Sequence, residues 1–450
     1  MKLGLQVVPL VLMGLLVGCG SSKKNEFAFK DLPSQNQFKD GELALRNALP
    51  PTGLLTWEVE QGLYHVKEHV DDREWEDGKG ALTYALEVVG RNSPGIVDQA
   101  PPSSKEATRK ALQDLRNSMR SVEDTIYKRD QAKGLIETGK MFWSYDRVLL
   151  ALLAEHEPQV DSQYQKRPLL KGGWALVEFD TNRGKFTVLL DGFNAPVTAG
   201  NVLDLVQRGF YDNMRIGRAE KNFLIQMGDS KGDGQGGFVE TSTGQVRRVP
   251  LELRTARASR TPQVVPVVRR EVRYALDRYE LDPIRLREEL KLIYEKYAAQ
   301  DVEAPFIYSQ PLPTKEIPAL PFTPPGTLAM ARVADQPDSA SSQFFLSFVD
   351  PELNPPGSNI EDGKYGVFGY LTGGLKEVRK LQVGDLIKKA TLLNCATAKY
   401  TTVRLFDYTA TTLNVDNIAK GELELRCLPI GMPRLVNAAS AKNTKVARVP

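Results

Sequence analysis

The sequence predicts a multidomain chain: an N-terminal all-α helical bundle followed by a closed antiparallel β-barrel with flanking helices. Three observations predict it. Apolar residues recur with helical period between residues 41 and 165, and near residue 170 the pattern changes to short alternating segments bounded by turn signals. A length of 450 residues calls for about two or three domains. Composition is that of a globular protein, with 41% hydrophobic and 26% charged residues. The net charge of +3 is too small to argue for nucleic acid, and no basic stretch with interleaved aromatics is present.

The chain opens with Lys2 and an apolar run from Leu3 to Val17, too short and too early for an ordinary membrane-spanning helix. Its end, Leu16-Val17-Gly18-Cys19, resembles a bacterial lipobox. Residues 1–18 then read as a lipoprotein signal peptide, with Cys19 as the lipidation site and 19–40 as a polar tether. The other reading is a plain secretory signal with an incidental cysteine. Export places the rest in an oxidising space. Cys395 and Cys427 are the remaining thiols; one disulfide between them and two separate buried cysteines are both open.

Residues 41–165 read as a helical bundle. Ser103-x-x-Glu106 after Pro101-Pro102 has the pattern of a capping box. Behind it Leu112, Leu115, Met119, Val122 and Ile126 make one stripe, and Leu135, Phe142, Tyr145, Leu149 and Leu152 make another. Segments at Leu54–Val70 and Ala81–Val89 add two more helices. Such stripes must be buried against each other, and the proline pairs at 50–51 and 101–102 interrupt any long coiled coil.

Residues 170–395 read as the barrel. Trp174–Phe179 and Phe186–Leu190 are strands joined by the turn Thr181-Asn-Arg-Gly184. Pro196 opens a helix with stripe Val202, Leu205 and Val206, and Gly209 ends it. Residues 255–320 interrupt the barrel as a surface insertion: a helical arm begun at Pro283, with Ile284, Leu286, Leu290, Ile293, Tyr294 and Tyr297 on one face, between proline-rich extended flanks. Strands resume at Gly326–Ala331 and Tyr365–Gly369, and the barrel ends near Ile387. Residues 396–450 form an extension of a few strands and a basic tail.

Four motifs in order, Ala195-Pro-x-Thr-x-x-Asn201, Gln226-x-Gly-Asp229, Ser342-Gln-Phe-Phe345 and Val367-Phe-Gly369, make 186–230 and 326–395 resemble a cyclophilin, a peptidyl-prolyl isomerase. The helical half is similar to that of the lumenal cyclophilins of chloroplasts and cyanobacteria, whose helical domain is like the PsbQ subunit of photosystem II. Carried over by position, the resemblance implies that Arg218 and Gln226 are catalytic. It implies a proline floor of Phe223, Leu224 and Phe345, a second orienting glutamine at Gln343, and a peptide-pairing strand at Ala331-Arg332-Val333. Leu224 replaces the usual methionine, Arg332 an asparagine, Ile360 the pocket tryptophan and Tyr365 the rim histidine; these changes weaken the expectation of cyclosporin binding.

The residue types suit the reaction. Prolyl rotation faces a barrier of about 18–20 kcal/mol from amide resonance. The twisted transition state returns a lone pair to the proline nitrogen, to which a guanidinium can donate; the planar ground state offers little of this, and only such differential binding lowers the barrier. An apolar floor holds the ring while the preceding carbonyl turns. No cofactor and no metal are needed. His65, His69 and His156 all precede the barrel, so a serine–histidine hydrolase is not encoded there. His65 and His69 at i, i+4 lack the zincin glutamate and read as an exposed helix face. Gly232-Asp-Gly234-Gln-Gly236-Gly237 reads as a turn rather than a phosphate loop.

The sequence therefore predicts an exported, membrane-anchored prolyl isomerase of the thylakoid lumen or periplasm. Its clients are proline-containing polypeptides, with photosystem II subunits among them and no nucleic acid. The alternative is a non-catalytic assembly chaperone or scaffold with a degenerate proline pocket, whose proline-rich arm occupies that pocket.

Overall fold

The computed structural model describes residues 40–393, apart from 262, 280, 314–315, 349–358 and 360, together with the backbone of 424–425. The leader, Cys19, nearly all of the tether, Ile360, Cys395, Cys427 and the tail lie outside the described residues.

Among the described residues five α-helices form the N-terminal part. α1 (Gly41–Ala48) is capped by the Asp40 carboxylate, which accepts from Leu43 N–H at 2.7 Å. α2 (Leu54–Asp72), α3 (Trp75–Gln99), α4 (Lys105–Lys128) and α5 (Gln131–Leu152) pack in sequence, with α2 also against α5. The first stripe is buried throughout: Leu112, Leu115, Met119, Val122 and Ile126. Each fully buried side chain of this kind contributes about 1.5–3 kcal/mol. The second stripe is corrected at its start, for Leu135 is 46% exposed and the buried face runs through Gly134, Thr138 and Met141. The expected capping box is absent: Ser103 bonds Glu155 instead, and a 3₁₀ turn at Pro102–Ser104 leads into α4 without a side-chain cap. α3 runs far beyond the expected Ala81–Val89 and carries Pro94 in its interior.

After β1 (Leu169–Leu170), the hairpin appears as read. β2 (Trp174–Thr181) and β3 (Gly184–Asp191) pair in full register around Asn182-Arg183, with Gly184 at φ +120°. α6 (Pro196–Gln207) buries Val202, Leu205 and Val206, and Gly209 follows it at φ +66°. Next come β4 (Met214–Arg215), β5 (Arg218–Glu220), β6 (Leu224–Met227) and β7 (Glu252–Leu253).

The insertion holds two helices where one was expected: α7 (Val265–Arg278) and α8 (Pro283–Tyr297). It is not free-standing. Val268, Val272, Ala275, Leu276, Leu286, Leu290 and Ile293 form one cluster with Trp57 of α2. Ile284 is 72% exposed and falls outside that face. The chain returns through β8 (Ile307–Tyr308), which pairs with β7.

β9 (Thr327–Met330), β10 (Phe344–Ser347), β11 (Val367–Gly373) and β12 (Leu386–Leu392) complete a nine-stranded sheet of order β4-β12-β2-β3-β11-β9-β10-β6-β5. All its pairings are antiparallel. It is a curled half-barrel sheet, where a closed barrel was expected; β4 and β5 are its edges and are separated only by Ile216-Gly217. Its inner face is aromatic, with Phe179 stacked on Phe186 and Phe344 edge-on to Tyr211 and Phe368. β13 (Glu424–Leu425) pairs in parallel with β1. Among the described residues no helix is long and apolar enough to cross a membrane.

Candidate active site

Strand register builds the site. Residues directly opposite one another in a sheet point to the same face. Arg218 lies opposite Gln226, Gln226 opposite Phe345, and Phe345 opposite Ala329. A cation, an amide and a phenyl ring thus stand in one row on the outer face. One step along each strand, Ile225, Leu346 and Leu328 point inward and are buried. Two residues along, a second outward row places Glu220 opposite Leu224 and Leu224 opposite Ser347.

The guanidinium of Arg218 is half exposed and engaged. Its Nε donates to Glu220 Oε1 at 2.7 Å, and Nη2 meets the same oxygen. This occupies the side edge of the fork and leaves Nη1 directed elsewhere. Glu220 was not anticipated, yet a strand period of two from Arg218 was a readable signal.

The glutamines form a relay. Gln343 Nε2 donates to the carbonyls of Gly236 (2.8 Å) and Gly234 (3.1 Å), which turns its Oε1 toward Gln226 Nε2 at 2.8 Å. One N–H of Gln226 is therefore used, and its own carbonyl oxygen is directed away from Gln343 as an acceptor. The glycine loop supplying those carbonyls winds around Asp229, whose carboxylate accepts from Gly234, Lys231 and Gly236 N–H. Burial pushes that carboxyl up, but these N–H donors prevail and hold it below the usual range. A Cβ at Gly236 would collide with the Asp229 carboxylate. The loop is a turn, as expected, and its work is to fix an amide.

The floor is partly preformed. Leu224 is buried, and Phe223, which follows Asn222 at φ +59°, is 46% exposed. Phe345 stacks on Phe322 (centroids 6.1 Å, planes 21° apart) and meets Tyr365 edge-on at 5.5 Å. Phe322 is 1% exposed. It comes from the segment that follows the insertion, where its N–H donates to Asp362 at 2.8 Å and Tyr370 Oη donates to Pro321 O at 2.9 Å. No sequence signal separates Phe322 from an ordinary apolar residue in a proline-rich stretch. Tyr365 carries the Arg332 guanidinium over its ring at 4.8 Å.

The peptide-pairing segment needs correction. β9 ends at Met330, so Ala331-Arg332-Val333 lies beyond the strand. Ala331 N–H donates to Gln343 O and Val333 N–H to Ser339 Oγ, both at backbone-fixing distances of 2.9 and 2.8 Å. Arg332 is held by Lys364 O at 2.7 Å. Ala331 thus still bonds across to the β10 side, and from Arg332 onward the local hydrogen bonds of a loop replace ladder bonds.

His69 is also corrected. It is buried, with Nδ1 2.7 Å from Glu74 Oε2 and its ring 4.6 Å from His65. Burial, His69 and Arg273 push His65 down to about 4. His69, Glu74 and Asp77 bring ligand atoms within 4.8 Å of one another, and Arg273 already lies 3.7 Å from Glu74 as a counter-cation.

Over most of its length the chain is similar to known proteins. The model of the cyclophilin type peptidyl-prolyl cis-trans isomerase family matches residues 176–399. A putative thylakoid lumen peptidyl-prolyl cis-trans isomerase of Synechocystis is 29% identical over 366 residues, covering 81% of this chain and 85% of that protein. The chloroplastic peptidyl-prolyl cis-trans isomerase CYP38 of Arabidopsis thaliana is 32% identical over 373 residues, covering 78% of this chain and 72% of that one. A crystal structure of a Cryptosporidium parvum cyclophilin type isomerase, 20% identical, aligns with 49% of this chain and 98% of its own at a TM-score of 0.30.

Proposed function

This chain belongs to the family of cyclophilin-type peptidyl-prolyl cis-trans isomerases, and we propose that it acts as an exported, lipid-anchored member in the thylakoid lumen, turning prolyl bonds in proteins of the photosynthetic membrane. The thylakoid lumen in one relative's name and the chloroplast in the other's support the compartment. The Leu16–Cys19 sequence supports the anchor, and the helical half supports clients among photosystem II subunits. The domain limits follow the reading: leader 1–18, tether 19–40, bundle 41–165, barrel 170–395 with its arm at 255–320, and an extension at 396–450. Residues 214–220, paired to β12 at one end and to β6 at the other, support closure of the curled sheet into a barrel.

One observation carries the catalytic reading: Arg218, Gln226 and Phe345 occupy adjacent positions of one outward row. A proline ring seated on Phe345, Leu224 and Phe223 brings its nitrogen under Arg218. The free Nη1 donates to that nitrogen as conjugation breaks. The Gln226 carbonyl, fixed by the Gln343 relay, accepts from the client backbone, and Arg332 and Tyr365 form the rim. Each contribution of about 1.4 kcal/mol at the transition state gives tenfold in rate. In a protease-coupled assay on a proline tetrapeptide, Arg218→Ala is expected to lower kcat/KM by roughly 100-fold. Equal rates for variant and parent reject the reading.

A second reading, a chaperone whose cup binds proline segments without turning them over, is favoured by the engagement of Arg218 with Glu220. Saturable binding of the tetrapeptide with no isomerisation by the parent protein would select it.

A further inference from the structure

The bundle carries a second recognition surface. Between α3 and α4 runs an open groove of about 660 Å³. Its floor is apolar, from Val97 and Leu112, and Pro94 stands in one wall. Its rim is cationic: Arg109, Arg116 and Arg120 fall at i, i+7 and i+11 of α4 and share one face.

These arginines differ from their neighbours in the bundle. Arg46 is paired with Asp146, Arg147 with Asp114, Arg91 with Glu58 and Arg129 with Glu76. Arg116 instead donates to the Ser93 hydroxyl at 2.9 Å, and Arg120 to the side-chain Oδ1 of Asn117 at 3.4 Å. Neither reaches a carboxylate among the described residues. Arg109 holds only the exposed Glu106 of its own helix. The groove's own acid, Asp98, is exposed and lies 4.0 Å from Lys105. The rim therefore carries cationic charge that the fold does not neutralise.

We propose that this groove binds an acidic polypeptide segment in extended form. Length selects the occupant. Eleven helical steps lead from Arg109 to Arg120, about 17 Å at 1.5 Å per residue. A single small anion cannot meet both ends, whereas about five residues of extended chain span the distance. In an extended segment alternate side chains share a face, so acidic residues alternating with small apolar ones present carboxylates to the arginines and methyl groups to Val97 and Leu112. A concave channel between two helices also suits a chain better than a flat bilayer. The groove lies on the bundle and does not depend on the proline site.

The test is fluorescence anisotropy with the full chain and a fluorescein-labelled heptapeptide, Glu-Ala-Glu-Ala-Glu-Ala-Glu. Saturable binding is expected, weakened at least about tenfold in the double variant Arg116→Gln, Arg120→Gln and weakened by raising salt from about 50 to 300 mM. Arg287→Gln, on the exposed face of the arm, should leave it unchanged. Should the double variant unfold early, the single Arg120→Gln, at an exposed position, supplies the comparison. Absent binding, or equal binding by parent and groove variants, overturns the proposal. So does full displacement by millimolar inorganic phosphate, which marks a small-anion site. Arginine-dependent sedimentation with phosphatidylglycerol vesicles, without peptide binding, overturns it in favour of a membrane surface.

Discussion

The interface between the arm and the bundle and the outer row of the sheet both rest on arginines, and they use them in opposite ways. At the interface Arg260 is bidentate to Glu60 at 2.7 and 2.8 Å, next to the buried Arg46–Asp146 pair and the contact of Arg257 with Asp301. Burial pushes the Glu60 carboxyl up, but the Arg260 guanidinium prevails and holds it below its ordinary value. Each of these three arginines meets a carboxylate. In the outer row Arg218 has one exposed partner on its own strand and an unused edge. The difference separates a cation that fixes the fold from one available to a substrate.

Removing one member of a buried pair strands the other. Glu60→Ala is therefore expected to lower stability by about 4 kcal/mol, read as a shift in the denaturant midpoint; a loss below about 1 kcal/mol would make the interface pair equivalent to a surface one. Phe322→Ala joins the two regions, since the segment leading out of the insertion supports the aromatic floor. It should cost about 3 kcal/mol through the cavity it leaves, and kcat/KM should fall with it. Unchanged activity would separate the insertion from catalysis.

Acidity probes the seam between α6 and β7. Glu252 accepts from Val197 N–H, Thr198 N–H and the Thr198 hydroxyl, and burial nevertheless pushes its carboxyl up to about 7. The folded state thus favours the protonated acid. Its contribution is whole below the ordinary carboxyl value and is lost as pH rises through about 7. Between pH of about 5 and 8 the protein should lose roughly 2–3 kcal/mol from this group. Glu252→Gln should flatten that part of the stability profile, and an unchanged slope assigns the dependence to other acids.

The smallest effect sharpens the comparison most. Glu220→Ala frees the side edge of Arg218 and loosens its aim. A fall in kcat of about fivefold with KM little changed, worth about 1 kcal/mol, is expected. A rise in kcat would instead identify Glu220 as a restraint on the catalytic cation.

Local pattern carried what repeats locally. The stripe from Leu112 to Ile126, the Thr181–Gly184 hairpin and the Pro196 helix follow from side-chain period and turn chemistry, and each is where the pattern put it. Two of the four cyclophilin-like motifs carried Gln226 and Phe345, the resemblance added Arg218 by position, and register then set the three in one row. The capping box failed because Ser103 found a partner 52 residues away, a competitor that no local window contains. Ile284 and Leu135 had the right spacing but no surface to cover.

From the sequence alone came the period of each segment, the order of the motifs and the chemical types at the site. The tertiary structure decided which groups meet. It docked the arm on Trp57, slid Phe322 beneath Phe345, aimed Gln226 through a loop wound on Asp229, and left Arg116 and Arg120 without a carboxylate. The physical reason is that period is written into neighbouring residues, whereas a contact depends on which distant surface arrives to exclude water and supply the opposite charge.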